Sequence, residues 1–152
     1  MSQSNTDPQD NAINVQSPPQ EVEAVFFSYP QNVRDKLYML RRLILQTAAS
    51  SDAVGPISET LKWGEPAYLT QQSKSGSTIR IGWKKSSPQQ YAMYLNCRTS
   101  LVDTYRTLFP ELAFEGNRAL VFDVSDEVPI DSVVKCIELA LTYHIAKKAG
   151  RR

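Results

Sequence analysis

The stretch Thr78–Cys97, TIRIGWKKSSPQQYAMYLNC, decides the fold class. Its first part alternates, so that Ile79, Ile81 and Trp83 point one way and Thr78, Arg80, Gly82 and Lys84 the other. Gln90 to Cys97 alternates too, with Tyr91, Met93 and Leu95 opposed to Ala92, Tyr94 and Asn96. Lys85-Ser86-Ser87-Pro88-Gln89 between them is of hairpin length. Two antiparallel strands with one apolar face need helices to cover that face.

Upstream, Glu21 to Ser28 is a short helix carrying Val22, Val25 and Phe26 on one side. Tyr29-Pro30 breaks it, because Pro disfavours helix at the residue before it, and Pro30 opens the next helix. From Gln31 to Ala49, Val33, Leu37, Leu40, Ile44 and Ala48 form one apolar stripe, with Arg34, Lys36, Arg41 and Arg42 around the rest. After a loop at Ser50–Pro56 comes Ile57-Ser58-Glu59-Thr60-Leu61-Lys62-Trp63-Gly64-Glu65-Pro66-Ala67-Tyr68. Two aromatics, a Gly and a Pro beside charged side chains are too irregular for a plain helix or strand. Ala67 to Gln71 reads as a third strand, and Ser73–Ser77 as a loose connection.

Downstream, Ser100 to Phe109 is a helix, with Ser100 and Asp103 in capping-box positions. Leu112–Phe114 and Ala119–Val124 flank a Gly-Asn turn. A final helix starts near Ile130, with Val133, Ile137, Leu141 and His144 or Ile145 as its stripe. The order αα-βββ-α-ββ-α predicts an α+β fold, a single antiparallel sheet with helices mainly on one face.

The chain has 152 residues, 41% of them hydrophobic, which fits one domain. Residues 1–20 are polar and read as a disordered tail, 21–146 as the domain, and 147–152 as a basic fraying tail. With 17 basic and 16 acidic residues, the net charge of +1 gives no global pull toward nucleic acid or an anionic membrane. No apolar run approaches a membrane span, and the N-terminus has no secretory pattern. Cys97 and Cys136 are far apart without CxxC spacing, which reads as reduced thiols in a cytoplasmic protein.

FSYPQNVRDKLYMLRRLIL at Phe27–Leu45, followed by Ser58–Tyr68 with its Glu-x-x-Lys-Trp-Gly-x-Pro-x-Tyr core, resembles the YdhG-like domain-of-unknown-function family. The resemblance covers roughly Val22 to Ile145. It implies a frataxin-like arrangement of helices against an antiparallel sheet. Some relatives are described as intracellular iron chaperones, so iron enters only through the resemblance. Frataxin-type iron binding uses a crowded acidic ridge on the first helix. Here the first helical stretches supply Glu21, Glu23 and Asp35 beside four basic residues.

Glu59, Lys62, Trp63, Glu65 and Tyr68 suit a ligand site, because Trp and Tyr offer broad apolar faces with one polar handle each. The structural alternative packs Trp63 on the helices, bends the chain at Gly64–Pro66 and pairs Glu59 with Lys62. Arg80, Tyr94, Asn96 and Arg118 are candidates for one sheet face, where two guanidiniums would clamp a carboxylate or phosphate. The alternative is a solvated face. Cys97, beside Arg98 and ahead of a helix, reads either as a reactive thiol or as a buried inert residue. His144 reads as structural. No P-loop, GxGxxG, HExxH or CxxC pair is present. These residues favour a non-catalytic binding module for a small polar or anionic ligand or a protein partner, over an iron chaperone and over a small enzyme. Exposed strand edges and the pattern at Thr70–Ser77 leave a homodimer open.

Overall fold

The computed structural model describes residues 15–150. Most of the tail assigned to residues 1–20 lies outside them. Helices α1 (Gln20–Ser28) and α2 (Gln31–Ala49) are followed by strands β1 (Ser58–Lys62), β2 (Glu65–Leu69), β3 (Ile79–Gly82) and β4 (Gln90–Leu95). Helix α3 (Leu101–Leu108), strands β5 (Ala113–Glu115) and β6 (Ala119–Asp123), and helices α4 (Ile130–Leu141) and α5 (Tyr143–Gly150) complete the chain. The fold is α+β, with one six-stranded sheet in the order β1-β2-β3-β4-β6-β5 and every pairing antiparallel.

The helices bury one face of the sheet. Val22 and Phe26 of α1, Val33, Leu37, Leu40 and Ile44 of α2, and Val133, Ile137 and Leu141 of α4 form one core with Tyr68, Ile79, Ile81, Tyr91, Met93 and Leu120 of the strands. The period-two alternation of β3 and β4 puts these strand residues on that face. Pro30 stands at the N-cap of α2, where its fixed φ of −56° starts the helix.

Two features depart from the expected order. Ser58–Lys62 is a strand paired with Glu65–Leu69. The irregular Ile57–Tyr68 stretch is therefore a tight hairpin whose two loop residues, Trp63 and Gly64, both have positive φ (56° and 76°). A two-residue loop with both φ positive suits the right-handed twist of the flanking strands. The final helix also breaks at Thr142, and α5 carries the chain through Lys147 to Gly150.

The break is built by Ser75-Gly76-Ser77, a segment whose composition suggests a loose connection. Ser75 and Ser77 are buried, as is Thr70. The Ser77 amide donates to Ala140 O at 2.9 Å, and Ser75 Oγ donates to Leu141 O at 2.7 Å. In the other direction Ser75 O accepts from the amides of His144 (2.9 Å) and Ile145 (3.3 Å) in the first turn of α5. The orphan carbonyls of one helix end and the orphan amides of the next are thus satisfied by one loop. Ser75 and Ser77 are therefore consumed inside the monomer, whereas Gln71 to Lys74 of the same segment are exposed. Ser100 makes no side-chain cap of α3, so the capping box read there is not formed.

Close approach requires glycine at position 76. A Cβ there would lie 2.3 Å from the carbonyl carbon and oxygen of Leu141. We expect Gly76→Ala to lower unfolding free energy by roughly 3 kcal/mol, read as a drop in the urea midpoint. A midpoint within error of the parent protein would refute this account of the break.

Candidate functional site

The Ile57–Tyr68 hairpin divides its side chains between the two faces of the sheet. Glu59 and Tyr68 are cross-strand partners on the core side. Glu59 does not pair with Lys62. It accepts two hydrogen bonds from Arg41 of α2, from Nε at 2.6 Å and from Nη2 at 3.0 Å. Tyr68 donates its hydroxyl proton to Glu59 Oε2 at 2.8 Å, and Arg41 Nη2 also reaches Gln16 O at 2.5 Å. The Arg41 and Glu59 side chains are only 7% and 10% exposed. Arg41 is therefore interior, not part of the solvated ring around α2. Burial works against its charge, but hydrogen bonds and the charge of Glu59 hold it protonated. Burial, then the Glu59 charge, pushes the Tyr68 phenol well above its ordinary range. Every strong partner in this group is satisfied from within, so it ties β1 and β2 to α2.

Trp63 neither packs on the helices nor lines a pocket. It is 89% exposed at the hairpin tip. Lys62 is exposed beside it, with no ion pair among the described residues.

The open face of the sheet carries the second group. Ala67, Arg80, Tyr94 and Ala119 lie in register across β2, β3, β4 and β6. Arg80 makes an ion pair with Glu65. Its guanidinium also lies 5.2 Å from the centre of the Tyr94 ring, and the Lys84 ammonium lies 5.7 Å from it. Two cations thus flank one phenol ring. Burial pushes Tyr94 up to about 12, helped by Glu65 and Glu115. Glu65 is raised by burial and held back by Arg80 and Lys84. The Glu65 carboxylate rests over Gly82, where a Cβ would come within 2.9 Å of Oε2. Beside this group lies a hollow of about 110 Å³, with a floor of Gly82, Ala92 and Val121 and a rim of Lys84, Ser86, Tyr94 and Glu115.

Two candidates do not join it. Arg118 is exposed at the end of the β5–β6 turn, one position out of phase: Ala119 is the residue opposite Tyr94. With Arg80 already paired to Glu65, no clamp of two guanidiniums forms. Asn96 shapes the turn after β4, accepting the Arg98 amide at 2.9 Å on Oδ1. Cys97 is exposed, against the buried reading, and α3 begins only at Leu101. His144 is exposed on α5, not on a buried stripe. Lys84 and Glu115 were absent from the sequence candidates. Lys84, two residues past the end of β3, was legible from the alternation of Thr78–Lys84, whereas Glu115 is brought in only by the register of β5.

Among the described residues no group of three or more His, Cys, Asp or Glu side chains is arranged to hold a metal ion, and no helix is long and apolar enough to cross a membrane. No family model, no curated protein and no solved structure matches this chain.

Two substitutions test the assignments. Arg41→Met should cost roughly 3–5 kcal/mol by stranding the Glu59 charge, and adding Glu59→Gln should recover part of the loss in urea unfolding. An additive or larger double-mutant loss would argue against the pairing. Trp63→Asn should raise stability by about 1 kcal/mol, since Asn tolerates the left-handed region better than a bulky side chain. A fall in melting temperature would show that the Trp63 ring is held by something in the fold.

Proposed function

We propose that this protein is a non-catalytic binding module that holds a small polar ligand on the open face of its sheet. The observation that carries the reading is Lys84. Its ammonium stands at the rim of the hollow, over the Tyr94 ring, and no carboxylate pairs with it among the described residues. Arg80 next to it is already neutralised by Glu65. Lys84 is therefore the unpaired positive charge at the hollow, and a ligand carboxylate or phosphate is its natural partner. Glu115 and the Ser86 hydroxyl on the same rim suit hydrogen-bond donors on that ligand, as in a zwitterion. The floor of Gly82, Ala92 and Val121 leaves room for a compact body and supplies apolar contact.

We also infer membership of the YdhG-like family and a frataxin-like arrangement, from the Glu-x-x-Lys-Trp-Gly-x-Pro-x-Tyr motif at Glu59–Tyr68. A cytoplasmic setting is part of the same proposal, supported by two free cysteines.

A thermal-shift panel of amino acids, dicarboxylates and phosphorylated metabolites tests the reading. A true ligand at about 100 times its dissociation constant adds about 2.7 kcal/mol, which is several degrees for a domain of this size. The shift should vanish in Lys84→Ala and persist in Arg118→Ala. A panel without a single shift, or a shift indifferent to Lys84, would overturn the assignment.

A further inference from the structure

A second concave region lies beyond the short edge strand. β5 pairs only from Ala113 to Glu115, against Val121 to Ala119. Phe122 and Asp123 of β6 extend past its end, and a cavity of about 270 Å³ opens there. Leu112, Phe122 and Pro129 give it apolar walls. Its rim carries Glu111, Asp123, Asp126 and Glu127, and none of these carboxylates is in an ion pair among the described residues. The amide and hydroxyl of Ser125 donate to Asp123 Oδ1 at 2.9 and 2.7 Å, which lowers the Asp123 pKa and keeps it ionised. Ser132 donates to Glu111 at 3.2 Å. Lys36 hydrogen-bonds the backbone carbonyl of Asp126 at 3.0 Å and makes no ion pair with its carboxylate.

Tyr91 supplies an independent observation. It is 1% exposed, lines this cavity and stacks on Phe122 with ring centres 5.0 Å apart. Its hydroxyl has no hydrogen-bond partner among the described residues. Asp126 and Asp123 line the same cavity; burial pushes the Tyr91 phenol up to about 12, and the charges of those two carboxylates add to the rise. A buried hydroxyl without a partner is rare and asks for an explanation.

We propose that this cavity binds a primary alkylammonium. The ammonium has three donors and no acceptor. The Tyr91 oxygen and the carboxylates of Asp126 and Asp123 are the acceptors it needs, and a short methylene chain would lie on Phe122, Leu112 and Pro129. A hard metal ion fits less well, since the carboxylates ring the cavity without converging on one point. The ammonium could come from a free diamine or from a lysine side chain of a partner.

Isothermal titration of the full chain with 1,4-diaminobutane, and separately with N-acetyl-lysine methylamide, tests the proposal. Saturable binding is expected, weakened about tenfold or more in Asp126→Asn and in Tyr91→Phe. Tyr91→Phe keeps the stacked ring, and a melting curve establishes that it folds; if it does not, Asp126→Asn decides. Tighter binding of the diamine would identify a metabolite site, and tighter binding of the capped lysine a peptide site. Lys84→Ala should bind either probe unchanged, which separates this cavity from the anion-binding hollow. Absence of saturable heat, equal affinity in both variants, or an effect reproduced by sodium chloride at matched ionic strength would overturn the proposal.

Discussion

The buried pair of Arg41 and Glu59 is the constraint on which the arrangement of this domain rests. Two full charges taken out of water are expensive, and their attraction repays the loss only when the remaining hydrogen-bonding capacity is filled. Here the carboxylate takes two guanidinium bonds and the Tyr68 hydroxyl, while the guanidinium also takes the Gln16 carbonyl. The geometry can be met in only one placement of the hairpin against α2. A slip of one residue along β1 would turn Glu59 to the open face and leave Arg41 alone in the core. The pair therefore fixes register as much as it contributes stability.

Once that hairpin is placed, the open face follows. Glu65 and Ala67 leave β2 on the opposite side from Tyr68, and Ala67 meets Arg80 in β3. Arg80 then meets Tyr94, and Tyr94 meets Ala119. Bulky groups from β2, β3 and β4 gather over small ones, since Gly82, Ala92 and Ala119 leave the backbone low. The hollow is what remains where Gly82 and Ala92 run side by side. The two neighbouring hollows, which share Gln90, Tyr91 and Val121 in their linings, differ in sign: Lys84 stands without an ion pair at one, and the four carboxylates around the Tyr91 cavity stand without one at the other.

The α+β class, the helix pair around Pro30 and the central hairpin were legible because local pattern and tertiary environment agree there. Ile79, Ile81, Tyr91 and Met93 alternate in the sequence and are buried in the structure. Of the hairpin at Ser58–Leu69 only the second strand was legible, read at Ala67–Gln71 where the structure has Glu65–Leu69; the first strand and the turn were not, because Trp63 at positive φ is a poor turn residue and Pro66 is a poor strand residue. Their composition argues against the element they form. The break at Thr142 was hidden for a different reason. Nothing in Ile130–Ile145 opposes a continuous helix, and the break is imposed by Ser75–Ser77, more than 60 residues upstream. The site residues divided likewise. Glu59, Tyr68, Arg80 and Tyr94 were recognisable as polar or aromatic groups on strands, but which of them meet depends on pairing across strands and on Arg41 coming inward.

The loop at Ser75–Ser77 also bears on how this protein opens. Its amide and hydroxyl hold the end of α4, its carbonyl holds the start of α5, and its flanks belong to β2 and β3. The end of α4 therefore cannot open without releasing the connection between two central strands, whereas α5, none of whose residues is buried, is tied to the loop only through the Ser75 carbonyl. Local opening there is coupled to disruption of the sheet, which raises its free energy toward that of global unfolding. The last turn of α4, which would otherwise exchange its amides independently, is drawn into the same cooperative unit as the core.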